Sequence, residues 1–157
     1  MHKVPVRLAL ACALTLGFGS LALAGENWIG TWKLNAAKSK YSPGPAPKSG
    51  TVKFERVDGG IKVSSDGVNG EGKPTHFEYV SKFDGTEVPW TGNPDADTAS
   101  AKRIDDNSYE NVWKKGGKVT LDTKVAVAKD GKTLHITQTG VDGQGRKVSN
   151  SALYEKQ

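Results

Sequence analysis

Apolar and polar residues alternate with a period of two over much of the chain after residue 24. The clearest run covers 118–128, where Val119, Leu121, Thr123, Val125 and Val127 share one face and mostly polar residues occupy the other. This alternation is typical of a β-strand with one buried face. The pattern predicts ten strands, at 29–34, 51–57, 61–66, 74–82, 86–89, 98–104, 108–115, 118–128, 133–139 and 147–156.

Turn signals separate these segments at intervals of mostly 8–14 residues. Asp-Gly or Asn-Gly pairs occur at 58–59, 66–67, 69–70, 84–85, 130–131 and 142–143. Such pairs favour tight hairpin turns, and the short intervals leave no room for crossover helices. Val, Ile and Thr also outnumber Leu after residue 24, which favours strands over helices. The sequence therefore predicts an all-β fold built as an antiparallel meander.

Ten antiparallel strands in one small domain need to protect their edges. Closure into a barrel removes the edges, whereas a sandwich leaves some exposed. We therefore expect a single antiparallel up-and-down β-barrel of about 8–10 strands. A barrel of that size is wide enough to hold one small ligand.

Two segments interrupt the meander. In 35–50, Asn35 can cap a short turn over 36–39, after which Pro43, Pro45 and Pro47 force an extended path. The second segment, 90–97, begins with Trp90 and contains an Asn-Pro-Asp turn signal.

The first 24 residues have the composition of an export signal. Lys3 and Arg7 precede an apolar run of 17 residues, 8–24, which ends in Ala-Leu-Ala before Gly25. A basic start, a short apolar centre and a small-residue exit are the three parts of a secretory signal peptide. We expect residues 1–24 to be a signal peptide and 25–157 the mature domain, periplasmic or secreted. No later apolar stretch is long enough to span a membrane after cleavage.

Charge and cysteine content exclude several classes of function. The net charge is +5 with interspersed signs, so the sequence lacks the clustered basic face expected of a nucleic-acid-binding protein. The single cysteine, Cys12, lies in the predicted signal peptide. The predicted mature domain therefore has no disulfide, thiolate metal site or cysteine nucleophile.

No metal-binding or catalytic constellation stands out. His76 and His135 have no nearby acid that would complete a zinc site, and Asp95, Asp97, Asp105 and Asp106 lack the calcium-loop pattern. No G-x-S-x-G motif is present. We therefore expect no catalytic residues, no metal and no cofactor, and a protein that is not an enzyme.

Two end motifs carry a family resemblance. The segment 30–34, Gly-Thr-Trp-Lys-Leu, contains a Gly-x-Trp, Gly30 and Trp32, that resembles the signature of the calycin superfamily of lipocalins and fatty-acid-binding proteins. The segment 152–156 is similar to the closing strand of fatty-acid-binding proteins, and the chain also resembles small exported bacterial lipocalin-like proteins. The resemblance implies that Trp32 plugs one barrel end beneath a basic residue of the last strand. Arg146 and Lys147 are the two candidates.

The chain also departs from fatty-acid-binding proteins. Those proteins hold a carboxylate with an Arg and a Tyr two residues apart on the last strand, whereas here the residue two positions before Tyr154 is Ala152. Alanine cannot form that charge-assisted fork. The proline-rich 35–50 also replaces the family's helical lid. Fatty-acid binding in the family's manner is therefore not expected.

Aromatic residues are the best candidates for ligand contact. They occur on or beside the middle strands, with one on the last strand: Phe77, Tyr79, Phe83, Trp90, Tyr109, Trp113 and Tyr154. Ligand pockets are mostly apolar with a few polar groups. The alternative is that these residues simply form the core.

Two functions follow. The first is an exported protein that holds a small hydrophobic or amphipathic molecule in its barrel cavity. The second is a protein-interaction module, such as a calycin-like protease inhibitor or envelope factor, with a filled barrel and binding loops at 35–50 and 90–97.

Overall fold

A computed structural model describes residues 26–157, so the predicted signal peptide lies outside the described residues. All ten predicted strands are present, with ends that differ from the prediction by at most two residues. They are β1 (Gly30–Leu34), β2 (Ser49–Val57), β3 (Gly60–Val68), β4 (Pro74–Ser81), β5 (Asp84–Pro89), β6 (Thr98–Arg103), β7 (Ser108–Lys115), β8 (Lys118–Val127), β9 (Thr133–Val141) and β10 (Lys147–Lys156). One short 3-10 helix, Ala36–Lys38, follows β1. Within 26–157, no helix is long and apolar enough to cross a membrane.

The strands form one antiparallel sheet that curls into a nearly closed barrel. Its order is β4-β3-β2-β1-β10-β9-β8-β7-β6-β5, so each strand pairs with its sequence neighbours and β1 pairs with β10. In that seam Trp32 lies opposite Lys156, and Leu34 lies opposite Tyr154. Between β4 and the end of β5, Glu78 and Thr91 exchange two backbone hydrogen bonds of 3.1 Å. The predicted up-and-down barrel is confirmed.

One end of the barrel is filled with aromatic side chains. Trp28 packs 5.4 Å from Tyr109 and 5.9 Å from Phe83, measured between ring centroids, and Phe83 meets Tyr109 at 4.7 Å. The segment before β1 crosses this end, where the Asn27 amide donates to the Asp106 carbonyl at 2.9 Å. Burial of this much aromatic surface makes the closed end a principal source of stability.

Lys156, not Arg146 or Lys147, packs on Trp32. Its ammonium lies 5.1 Å from the centre of the Trp32 ring. Because β10 is antiparallel to β1, only its last residues reach Trp32, and its first residues lie at the opposite barrel end. Arg146 lies in the turn before β10, where its Nε binds the Asp142 carboxylate at 2.8 Å. Gly30, at φ +131°, leaves room for the Lys156 side chain, since a Cβ there would lie 3.2 Å from its Cε.

A β-bulge in β8 overturns one predicted position. Trp113 pairs with Leu121 but Lys114 pairs with Val119, so Thr120 is an extra residue without a partner. The bulge turns Thr120 inward and leaves Val119 55% exposed, although the alternation predicts it on the buried face. The Thr120 hydroxyl donates to the Asp95 carbonyl at 2.8 Å, which ties the 90–97 loop to the barrel.

Gly140 on β9 lies opposite this bulge with φ +146°, and a Cβ there would overlap the Thr120 carbonyl oxygen. We expect Gly140→Ala to lower the free energy of unfolding by about 3 kcal/mol, because backbone strain and a steric clash combine. Gly131→Ala is the matched control, since Gly131 has φ +70° with open space around it. We expect this variant to lower the free energy of unfolding by only about 1 kcal/mol. Urea unfolding measures both, and equal losses would contradict the steric role of Gly140.

The proline-rich segment packs along β10 at the open end. As predicted, Asn35 caps the short helix, with its side chain accepting from the Lys38 amide at 3.1 Å. Lys40 and Ser151 then exchange backbone hydrogen bonds of 2.7 and 2.8 Å. The segment therefore follows β10 and brings Tyr41 to the cavity lining.

Candidate functional site

A cavity of about 200 Å³ occupies the barrel interior between the aromatic closed end and the opposite loops. It connects to an outer chamber of about 680 Å³, formed largely by residues of the segments 41–47, 69–74, 92–95 and 142–150. Tyr41, Phe77 and Trp113 line both spaces. The interior is therefore reached from the open end of the barrel.

Six of the seven predicted ligand-contact residues line the inner cavity. They are Phe77, Tyr79, Trp90, Tyr109, Trp113 and Tyr154. Trp90 is the centre of this group, with ring centroids of Trp113, Tyr79 and Phe77 at 4.5, 4.8 and 5.7 Å. Their role in ligand contact stays a prediction, but their position is that of a cavity wall.

Phe83 lies elsewhere. It follows β4 at the closed end, stacks with Trp28 and does not line the inner cavity. The period of two places Phe83 on the inward side correctly, but it does not give the height of a residue along the barrel axis.

Asn111 and Thr123 are polar residues of the cavity wall and are not among the predicted site residues. Each is buried, with 3% and 6% of its surface exposed. The Asn111 amide nitrogen donates to the Tyr79 hydroxyl at 3.2 Å, while the Asn111 Oδ1 and Thr123 Oγ1 atoms have no hydrogen-bond partner among the described residues. The sequence contains a signal for Asn111, because this polar residue lies between Tyr109 and Trp113 on the same inward face.

The tyrosines around the cavity are held in their neutral form. Burial raises the pKa of Tyr79 and Tyr109 well above the usual value, although the hydrogen bond from Tyr109 partly offsets this for Tyr79. At the open end, burial raises the pKa of Tyr41 to about 12 and also raises that of Tyr154. The cavity wall therefore offers neutral hydroxyl groups at physiological pH.

The cavity has little charge. Within residues 26–157 no Lys or Arg lines the inner space, and Ala152 contributes only a methyl group beside Tyr154. The nearest acid in the lining is Asp66, which is exposed at the rim and binds His76 Nδ1 at 2.6 Å. In the outer chamber, Arg146 is paired with Asp142. The wall therefore lacks the fixed cation that a buried carboxylate needs.

The described residues contain no group of three or more His, Cys, Asp or Glu arranged to hold a metal ion. His135 is exposed on β9. Asp95 and Asp97 accept backbone hydrogen bonds from Gly143 and Gly116 at 3.1 and 2.9 Å, which assigns these carboxylates to loop structure.

Comparisons with known proteins give a distant likeness. No family model and no curated protein matches the chain. Among solved structures, the chain is similar to zebrafish ileal bile acid-binding protein complexed with cholic acid, with 10% identity and a TM-score of 0.37 over 83% of this chain and 98% of that one. A likeness at this level carries no argument about function. The barrel is evident in the chain itself, as ten antiparallel strands in up-and-down order with β1 paired to β10.

Proposed function

We propose that the protein binds a small, partly apolar molecule inside its barrel and acts as a carrier. The observation that supports this most is the open, aromatic-lined cavity of about 200 Å³. Apolar walls with a few polar groups are the usual composition of small-molecule sites. The interior is small beside the roughly 300–1,000 Å³ of drug-sized pockets, so the rest of a longer ligand would occupy the outer chamber.

The second function predicted from the sequence, a protein-interaction module, requires a filled barrel. The open cavity gives it less support. The proposal is also for binding and not for catalysis. The buried polar groups of the inner wall are neutral amide, hydroxyl and indole N–H groups, and its one acid, Asp66, is exposed at the rim and bound to His76.

We further propose that the carrier works outside the cytoplasm. The composition of residues 1–24 supports this, since it has all three parts of a secretory signal peptide. Mass spectrometry of the chain purified from its native source would then give Gly25 as the first residue. A chain that retains residues 1–24 would overturn this proposal.

A blocked cavity tests the binding function. Ala152 is buried and lines the inner cavity, so Ala152→Leu adds side-chain volume to the space a ligand would use. A neutral phenylnaphthylamine dye, whose emission rises in apolar surroundings, is the probe. We expect the wild-type protein to bind the dye and Ala152→Leu to weaken binding by about tenfold or more.

Ala126→Leu is the matched control. Ala126 alternates with the buried Val125 and Val127 on β8, so its side chain is on the outer face of the barrel. We expect this variant to bind the dye like the wild type. No dye binding by the wild type, or equal loss in both variants, would contradict the carrier function.

A further inference from the structure

We infer that the cavity takes an uncharged ligand with an apolar body and a hydroxyl group, and that Asn111 and Thr123 hold this hydroxyl. This inference rests on the proposed binding function and names the chemical class of the ligand. It is carried by two buried polar atoms that the described residues leave without a hydrogen-bond partner, Asn111 Oδ1 and Thr123 Oγ1.

The two atoms belong to neighbouring side chains. Asn111 on β7 and Thr123 on β8 are directly opposite each other in the strand register. Side chains in such a pair have Cβ atoms about 5 Å apart. Both line the inner cavity, and both are more than nine-tenths buried. A ligand hydroxyl beside this pair of side chains would therefore be near both groups.

The chemistry of the pair matches a hydroxyl group. The amide nitrogen of Asn111 is already used on Tyr79, which leaves the amide oxygen as an acceptor. The Thr123 hydroxyl can donate. A ligand hydroxyl would donate to Asn111 Oδ1 and accept from Thr123 Oγ1, so both unpaired groups gain a partner. Buried polar groups in native proteins almost always have one.

The same groups disfavour a charged ligand. A carboxylate would place its oxygens against the acceptor oxygen of Asn111. The inner lining of residues 26–157 offers it only neutral donors, among them the unpaired indole N–H groups of Trp90 and Trp113, and no Lys or Arg that would balance its charge. An ammonium group would lack a buried carboxylate, because Asp66 is exposed at the rim and bound to His76. Desolvation of either charge would then be uncompensated.

The volume of the inner cavity limits the size of the ligand's apolar body. An apolar cavity of about 150 Å³ binds benzene, so about 200 Å³ is suited to a slightly larger ring system or a short branched chain. Trp90, Trp113 and Phe77 provide the aromatic surface that contacts it.

Three probes with one ring system test the inference. Naphthalene, naphthol and naphthoate share the apolar body and differ only in the polar group, which is absent, a neutral hydroxyl or a carboxylate. Quenching of tryptophan fluorescence gives each dissociation constant. We expect naphthol to bind about tenfold tighter than naphthalene, and naphthoate to bind more weakly than naphthalene.

Thr123→Val removes the hydroxyl and keeps the shape of the side chain. We expect it to reduce the preference for naphthol over naphthalene to about threefold, with naphthalene binding changed less than twofold. Asn111→Leu should reduce the preference further. Thr137→Val is the control, because Thr137 is exposed on the outer face of β9, and it should leave the preference unchanged. Thermal melting verifies that each variant is folded.

The outcomes separate the binding function from the hydroxyl site. If none of the three compounds binds, the binding function fails and the inference fails with it. If naphthol binds no tighter than naphthalene, or Thr123→Val keeps the full preference, the polar pair holds only water and the hydroxyl site is wrong while the carrier function stands. Tightest binding of naphthoate would also overturn the inference.

Discussion

Replacing Trp32 with alanine is expected to lower the free energy of unfolding by about 3–5 kcal/mol. The side chain is fully buried, and its indole N–H donates to the Trp28 carbonyl at 2.7 Å. Its loss would leave a cavity at the closed end and a buried carbonyl without its donor, next to the seam where β1 meets β10. Since domains of this kind are stable by only about 5–15 kcal/mol, the variant would be close to unfolding.

Two matched variants separate the contributions to this effect. Trp32→Phe keeps a ring and loses the N–H donor, so a loss of about 1–2 kcal/mol is expected. Lys156→Met keeps the side-chain stem and loses the cation, so about 0.5–1 kcal/mol is expected. Urea unfolding is monitored by circular dichroism, because the loss of a tryptophan would itself change the fluorescence signal. If Trp32→Ala unfolds at the wild-type midpoint, the closed end does not depend on this residue.

The strands and their closure could be predicted from the sequence. Alternation of inward and outward residues is a local property, so Val52 and Phe54, or Ile61 and Val63, show their shared buried face without any tertiary information. Turn signals then give the ends of most strands. Closure followed from the need to protect edge strands.

Features that depend on register could not be predicted. The bulge at Thr120 shifts one strand by a residue, and nothing in the local alternation at Val119 reveals it. The contact between Lys156 and Trp32 depends on which ends of β1 and β10 meet. Trp28 precedes the first strand, so no periodic pattern indicates its burial.

The candidate site was only partly predictable, because alternation gives the side of the sheet on which a residue lies but not its height in the barrel. Period two places aromatic side chains inside the barrel, which is enough to find most of the cavity wall but not to place Phe83 at the closed end. Asn111 and Thr123 occupy inward positions where an apolar residue is expected. A polar residue at such a position is a local signal of a site, because its burial is unfavourable without a partner.

Raising the pH above about 10 is expected to unfold the protein through its tyrosines. The chain has four tyrosines, and burial raises the pKa of all of them in the folded state, that of Tyr41 to about 12. In the unfolded chain they ionise at about pH 10. Their contribution to stability is therefore complete below that pH and is lost as the pH rises towards the folded-state pKa values.

The size of the effect follows from the number of groups. Each tyrosine that ionises only in the unfolded chain lowers the free energy of unfolding by about 1.4 kcal/mol per pH unit, so four give up to roughly 5.5 kcal/mol per pH unit. Tyr41 is only partly buried and contributes less than the others. We expect tyrosinate absorbance to rise in one steep step that coincides with loss of the circular dichroism signal.

Single substitutions assign the effect to particular residues. Tyr79→Phe should make the decline of stability with pH shallower by about 1.4 kcal/mol per pH unit, because Tyr79 is buried beside Asn111. Tyr41→Phe, at the open end, should have a smaller effect. A gradual, reversible rise of tyrosinate absorbance centred near pH 10, with the circular dichroism of the folded protein unchanged, would mean that solvent reaches these hydroxyl groups and that the cavity wall is not as dry as its burial indicates.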